Sequence, residues 1–210
     1  MSAPHTHGHV IRWAPYYDGV VGLIALGRER ELRQRTVALA AIEPRARVLE
    51  VGCGTGSVCI AAALAVPTAE ILGTDPAPEM VQFAANKAAK AKVDASFEVG
   101  VIERIERESG SFDVVLSSLM LHHLPQDTAS AGLAEVFRVL TPGGRLVVVD
   151  CRGPGPWLHR IGSIFTRGRD KSTPRVERIV EELKDLGFEE PVLGCPGPGY
   201  LFSIVARKPA

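Results

Sequence analysis

The stretch that decides the fold is Val48-Leu-Glu-Val-Gly-Cys-Gly-Thr-Gly-Ser57. The residues Arg47-Val-Leu-Glu-Val51 read as a buried strand. The glycines at 52, 54 and 56 then lead straight into helical sequence from about Gly56 to Ala65. A residue without Cβ permits positive φ and lets backbone lie close to a ligand. The first N–H groups of the following helix point at whatever sits there and favour negative charge. Strand, glycine loop and helix in immediate succession are the start of a doubly wound α/β domain.

The residues flanking the loop narrow the ligand. A dinucleotide fingerprint, G-x-G-x-x-G, needs a glycine at the position of Ser57, so the match fails there. Glu50, two residues before the first glycine, suits a cationic ligand better than a pyrophosphate. Asp75 follows Gly56 by 19 residues, at the end of the next strand. A carboxylate at that place can reach ribose hydroxyls, and it can also cap a helix opened by Pro76 and Pro78.

Outward from this segment the pattern continues. Strands are expected at Glu70–Thr74, Ser96–Val99, Phe112–Ser117 and Arg145–Asp150, and helices at Glu79–Lys92 and Gln126–Leu140, the last stopping before Pro142-Gly-Gly144. Short apolar strands separated by helices imply a parallel sheet covered on both faces. A helix over Arg175–Leu186 precedes two strands, Pro191–Gly194 and Tyr200–Arg207. The turn Cys195-Pro-Gly-Pro-Gly199 that joins them is too short for a parallel crossover, so these strands pair antiparallel. The expected fold is a doubly wound, Rossmann-like, seven-stranded, mostly parallel sheet with an antiparallel last strand. Residues 16–43 carry helical periodicity broken at Gly27, which makes 1–45 an N-terminal helical cap on a domain spanning 46–210. Within that domain the Gly-, Pro- and Arg-rich stretch 151–175 reads as an insert or lid.

Composition removes other classes. With 210 residues, 46% hydrophobic and 23% charged, the chain can bury a full core. Its 24 basic and 24 acidic residues balance, which argues against a nucleic-acid partner. Cys53, Cys59, Cys151 and Cys195 form no C-x-x-C pair and read as free thiols, and no metal site is indicated. His5, His7 and His9 read as part of a polar terminus. Neither a signal-peptide run nor a stretch of ~20 apolar residues is evident, so the expected location is the cytoplasm.

Glu50-Val-Gly-Cys-Gly-Thr-Gly56 resembles the E/D-x-G-x-G-x-G motif of class I S-adenosylmethionine-dependent methyltransferases. Gly73-Thr-Asp-Pro-Ala-Pro-Glu-Met80 is similar to the family's second motif, Ser111–Leu124 to its fourth, and Glu135–Val149 to the segment around its fifth strand. Over Tyr16–Arg35 the chain resembles the N-terminal helices of the ubiquinone/menaquinone methyltransferase group. The resemblance implies S-adenosyl-L-methionine as cofactor. It places Gly52, Gly54 and Gly56 along the methionine part, Glu50 near its ammonium, Asp75 on the ribose, and Pro76 and Met80 beside the adenine. Ser117 would offer backbone near the methionine. The third motif departs from the family: Val101 stands where an acidic residue commonly holds the adenine amino group, leaving the backbone N–H of Ile102 to serve the ring.

Methyl transfer from a sulfonium is an in-line displacement, so the protein mainly aligns the acceptor and excludes water. His122 and His123 follow the fourth strand at the ligand-binding edge and are candidate bases for a protonated nucleophile. Tyr17, with Tyr16, is a candidate to close over the methyl donor. Ser117-Ser-Leu-Met120 lacks the N/D-P-P-Y/F sequence of nucleic-acid amino methyltransferases. A small-molecule, quinone-like or lipid acceptor is therefore expected. Trp157, Leu158, Ile161, Ile164 and Phe165 share a helical face beside Arg152, Arg160, Arg167 and Arg169, which allows peripheral membrane contact, a lid, or plain packing. The oligomeric state stays open, a homodimer included. Two rival functions remain: a nicotinamide-dependent oxidoreductase and a non-catalytic cofactor-binding protein.

Overall fold

In the computed structural model, residues 27–151, 176–189, 191–197 and 201–210 are described. The elements are α1 (Glu29–Ala40), β1 (Arg47–Val51), α2 (Ser57–Ala65), β2 (Glu70–Asp75), α3 (Pro78–Ala91), β3 (Ser96–Val99), β4 (Phe112–Ser118), a 3₁₀ turn (Leu121–His123), α4 (Gln126–Val139), β5 (Leu140–Cys151), α5 (Val176–Asp185), β6 (Val192–Gly194) and β7 (Leu201–Arg207). They build one seven-stranded sheet of order β3-β2-β1-β4-β5-β7-β6. The five strands β3 to β5 pair parallel. β7 runs antiparallel to β5 and to β6. The doubly wound sheet with a reversed strand is thus the observed architecture.

The apolar strands are buried on both faces, and alternate residues feed two separate cores. Leu49, Val51, Val115, Leu146, Val148 and Ile204 pack with Leu133 and Val136 of α4 and Ile179 and Leu183 of α5. Val48, Val114, Leu116, Val147 and Val149 pack with Leu32 and Ala40 of α1 and Cys59 and Ala62 of α2. This period-two division follows from the pleat.

One boundary differs from the sequence expectation. β5 begins at Leu140, ahead of Pro142-Gly143-Gly144. Its register against β4 shifts between the Phe112↔Leu140 and Val114↔Arg145 pairs. Those five residues of β5 span a two-residue step in β4, so Thr141–Gly144 bulge out and tolerate a proline that an unbroken ladder would not. The expected segment Arg145–Asp150 is the regular part of the strand.

Strand order reverses between β1, which continues to β2, and β4, which continues to β5. Crevices open at the carboxyl ends of strands at such a switch point. No helix among the described residues is long and apolar enough to cross a membrane. Cys53 and Cys59 are buried free thiols, Cys151 is partly buried and Cys195 is exposed.

Candidate active site

A cleft lies at this switch point, where ligands bind in sheets of this kind. Its floor comes from the ends of β1 and β4: Glu50, Gly52, Cys53, Thr55, Ser118 and Leu119 line it. Its wall is α1, which contributes Glu29, Leu32 and Arg33. Leu119 holds a positive φ of 53° while its N–H donates to the Val149 carbonyl at 2.7 Å. This is a strained conformation for leucine, imposed where the chain leaves β4 beside the cleft.

The glycine loop is shaped by protein contacts. Gly52 and Gly56 have φ of 67° and 72°. A Cβ at Gly52 would run into the Met120 side chain, and one at Gly56 would stand 2.7 Å from the Phe97 ring. Asp75 ties the loop in place. One carboxylate oxygen accepts the Gly54 N–H at 2.9 Å and the other the Ala77 N–H at 2.9 Å. The N-cap residue of α3 is Ala77, so Asp75 braces the turn before the helix and does not cap it directly. Each oxygen keeps a second lone pair, so the brace and a ribose contact are compatible. Burial raises the Asp75 carboxyl above its ordinary pKa, opposed by those two N–H donors.

Glu50 is 2% exposed. Its Oε2 accepts the Cys59 N–H at 3.0 Å and the Cys59 thiol at 2.9 Å. Burial pushes its pKa up to about 8 against the pull of both Cys59 donors, and the negative charge of Asp75 adds to the rise. Across the cleft Arg33 sits 4.0 Å from Glu29 and keeps a quarter of its side chain exposed (26%). Glu50, which keeps its proton at neutral pH in the free protein, and Arg33, within ion-pair range of Glu29, thus line one cavity.

Further along the carboxyl edge, His122 and Asp150 form a pair. His122 Nδ1 lies 2.5 Å from Asp150 Oδ1, and Asp150 is 1% exposed. The Asp150 carboxylate also accepts the backbone N–H groups of His122 (3.1 Å) and Cys151 (2.7 Å). Burial disfavours the imidazolium, but the Asp150 charge and hydrogen bond, helped by Cys151, overcome it and raise His122 to about 10. Asp150 is lowered: burial opposes the shift, and His122 with the two N–H donors outweighs it. One ligating atom from each of His122, Asp150 and Cys151 lies within 4.8 Å of the others. Two donors on one zinc ion at ordinary bond lengths stand more than about 3 Å apart. The 2.5 Å contact is therefore that of a shared proton. The His123 ring lies 3.9 Å from that of His122, centroid to centroid.

The expected residues thus fall into groups. Glu50 and Gly52 line the cleft directly, while Gly54 and Gly56 are buried within its loop and Asp75 braces it. At the other end Met80 is 1% exposed and Ile102 is 6% exposed, both packed in the core, while Pro76 and Val101 are half-buried. Ser117 points its hydroxyl into the protein, buried and without a hydrogen-bond partner, whereas its neighbour Ser118 lines the cleft. Tyr16, Tyr17, the three N-terminal histidines and the basic, apolar stretch 152–175 lie outside the described residues. Sequence reasoning missed Arg33, Cys59 and Asp150. Asp150 carried a signal, a carboxylate ending an otherwise apolar strand on the same edge as His122.

A reversed seventh strand, a glycine loop at the switch point and an acidic residue closing each of β1 and β2 define a class I methyltransferase domain. Residues 48–144 match the family described as "Methyltransferase domain". The chain is 35% identical over 167 residues to the demethylmenaquinone methyltransferase of Deinococcus radiodurans, covering 80% of this chain and 68% of that one. It is 31% identical to the ubiquinone/menaquinone biosynthesis C-methyltransferase UbiE of Geotalea daltonii, covering 67% of this chain and 60% of that one. Among solved structures, magnesium protoporphyrin IX methyltransferase from Synechocystis with bound SAH superposes with a TM-score of 0.71 at 24% identity, covering 94% and 92% of the two chains. The chain belongs to the class I S-adenosylmethionine-dependent methyltransferases of the ubiquinone/menaquinone type.

Proposed function

We propose that this enzyme binds S-adenosylmethionine in the β1–β4 cleft and methylates a small quinone-like ring. The observation that carries the cofactor assignment is that Glu50 and Arg33 line the same cleft. The methionine end of the cofactor is a zwitterion, and its ammonium would favour the ionised form of Glu50, so that a carboxylate and a guanidinium lining one cleft become the complementary charge set on binding. Glu50 takes the ammonium, Arg33 the carboxylate, Asp75 the ribose, and Pro76 and the Ile102 N–H the adenine end. The bound cofactor supplies an electrophilic methyl group on a sulfonium; the chain's own residues hold both reactants and keep water out.

The quinone-like acceptor is supported by the names of the relatives and by the state of His122. An imidazolium paired with a buried carboxylate does not take up a proton at neutral pH; it donates. Placed against a ring oxygen that has given its proton to solvent, His122 would stabilise the hydroquinone oxyanion and so raise electron density at the neighbouring ring carbon; that carbon would take the methyl group as S-adenosylhomocysteine leaves, and would then release its own ring proton to solvent. Tyr17 and His123 remain candidates to cover the acceptor.

Two experiments test this. Calorimetric titration is expected to give micromolar binding of S-adenosylhomocysteine and none of NADH; the reverse would establish the oxidoreductase. Incubation with S-adenosylmethionine and a reduced demethylmenaquinone analogue is expected to yield a ring-methylated product by mass spectrometry. Binding without turnover across hydroquinone, phenol and lipid acceptors would favour a cofactor-binding protein without catalysis.

A further inference from the structure

The helix following the glycine loop, Ser-Val-Cys-Ile-Ala-Ala-Ala-Leu-Ala, is apolar apart from its first residue and the thiol of Cys59. That thiol is fully buried, and it is spent on one atom. Both its S–H and its backbone N–H go to Glu50 Oε2, at 2.9 and 3.0 Å. Burial, with the Glu50 charge beside it, drives the thiol pKa well above its ordinary value, so sulfur keeps its proton and acts as the donor. One carboxylate oxygen is thereby tethered to the first turn of α2. Rotation of the carboxyl group would break both bonds at once.

We infer that Cys59 is a positioning residue for cofactor binding: it anchors one oxygen of Glu50 so that the other faces the ammonium in the cleft, and it favours the ionised carboxylate. This inference rests on the cofactor reading given above, and it adds a residue that touches neither cofactor nor acceptor. Among the described residues, the groups that act on Glu50 are few. Cys59 donates from α2. Cys53 lies in the glycine loop and Asp75 at the end of β2, where its charge opposes ionisation. Glu29 and Arg33 face it across the cleft from α1. Of the titratable neighbours among the described residues, Cys59 alone contributes hydrogen bonds that favour the charged carboxylate. An ammonium in the cleft would favour the same form, so tether and ligand pull together.

The test is calorimetric titration with S-adenosylhomocysteine from pH 6 to 9, on wild type, Cys59→Ala and Cys59→Ser, with thermal unfolding of each protein alongside. Wild-type affinity is expected to rise with pH and level off near pH 8, as Glu50 ionises in the free protein. Cys59→Ala is expected to move that midpoint upward and to weaken binding at pH 7 roughly fivefold, the effect of losing one hydrogen bond of ordinary strength, since a thiol is a weak donor. Cys59→Ser restores a stronger donor on a slightly shorter side chain, and is expected to return the midpoint to the wild-type value or below it. A general packing defect would instead lower stability and affinity at every pH and leave the midpoint in place. The inference is overturned if both folded variants keep the wild-type midpoint, or if alanine and serine behave alike. Failure of the wild-type protein to bind removes the cofactor reading itself, and this inference with it; failure of the variants alone leaves that reading intact.

Discussion

The glycine loop and the His122–Asp150 pair are built on different plans. The cofactor end comes from one continuous strand–loop–helix, and its decisive contacts are made by backbone, with Asp75 holding the Gly54 and Ala77 N–H groups. The His122–Asp150 pair, proposed above as the acceptor end, is assembled from side chains that are far apart in sequence: the two residues are separated by 28 positions and come from different elements. A site made of backbone demands particular residues at fixed spacing. A site made of packed side chains demands only that two strands end together. The first writes a motif; the second writes almost nothing.

That difference can be broken by mutation, beginning at the acceptor end. Asp150→Ala leaves a buried imidazolium without its partner and strands two backbone N–H groups. It is expected to destabilise the fold by about 3–5 kcal/mol in urea titration. The milder Asp150→Asn should bring the His122 ring, followed by NMR, down from about 10 toward the ordinary histidine range. A ring that still titrates near 10 would show that Asp150 is not what holds its proton.

At the cofactor end the comparable lesion is Gly52→Ala, which forces a positive φ on alanine and drives its Cβ into Met120. The expected loss is about 2–4 kcal/mol. If the clash with Met120 is part of that loss, Met120→Ala in the same chain recovers some of it, and the coupling energy of the double mutant is well above zero. Asp75→Ala comes next. Cofactor affinity is expected to fall by about 1–3 kcal/mol, with a smaller fall in stability, because the Gly54 and Ala77 donors lose their acceptor. Unchanged affinity in a folded protein would remove Asp75 from the site.

The smallest effect separates the two ends by pH alone. Glu50 keeps its proton in the folded state up to about pH 8, whereas in the unfolded chain it ionises near 4.5. Folding stability from this group therefore falls as pH rises between those values. His122 holds its proton up to about 10, against 6.5 unfolded. Its contribution is complete below 6.5 and is lost as pH climbs through 10. The melting temperature is thus expected to decline from pH 6 to pH 10 in two overlapping phases. Glu50→Gln should flatten the lower phase and Asp150→Asn the upper one; a variant that flattens both would show the ends to be coupled.

The sheet and its reversed strand were legible because Val48–Val51, Phe112–Leu116 and Leu146–Val149 are apolar runs bounded by turn residues, and the short segment before Leu201 allowed only antiparallel pairing. Glu50, Asp75 and the glycines were legible through spacing. Arg33 was hidden because a charged residue on an amphipathic helix reads as a solvated face until α1 is seen to wall the cleft. Cys59 was hidden because a thiol in an apolar helix reads as core. Ser117 and Ser118 show the limit of register: both end the same strand, and the pleat alone decides that Ser118 lines the cleft while the Ser117 hydroxyl points into the protein.

The brace formed by Asp75 has a thermodynamic consequence. Because the protein's own carboxylate already holds the Gly54 amide and the turn into α3, the socket is finished before a ligand arrives. Little chain freedom is left to lose on association at this end, so the binding entropy should come mainly from released water rather than from an ordered loop. Without that carboxylate the incoming molecule would have to organise the loop as well as fill it, and part of its affinity would be diverted to that work.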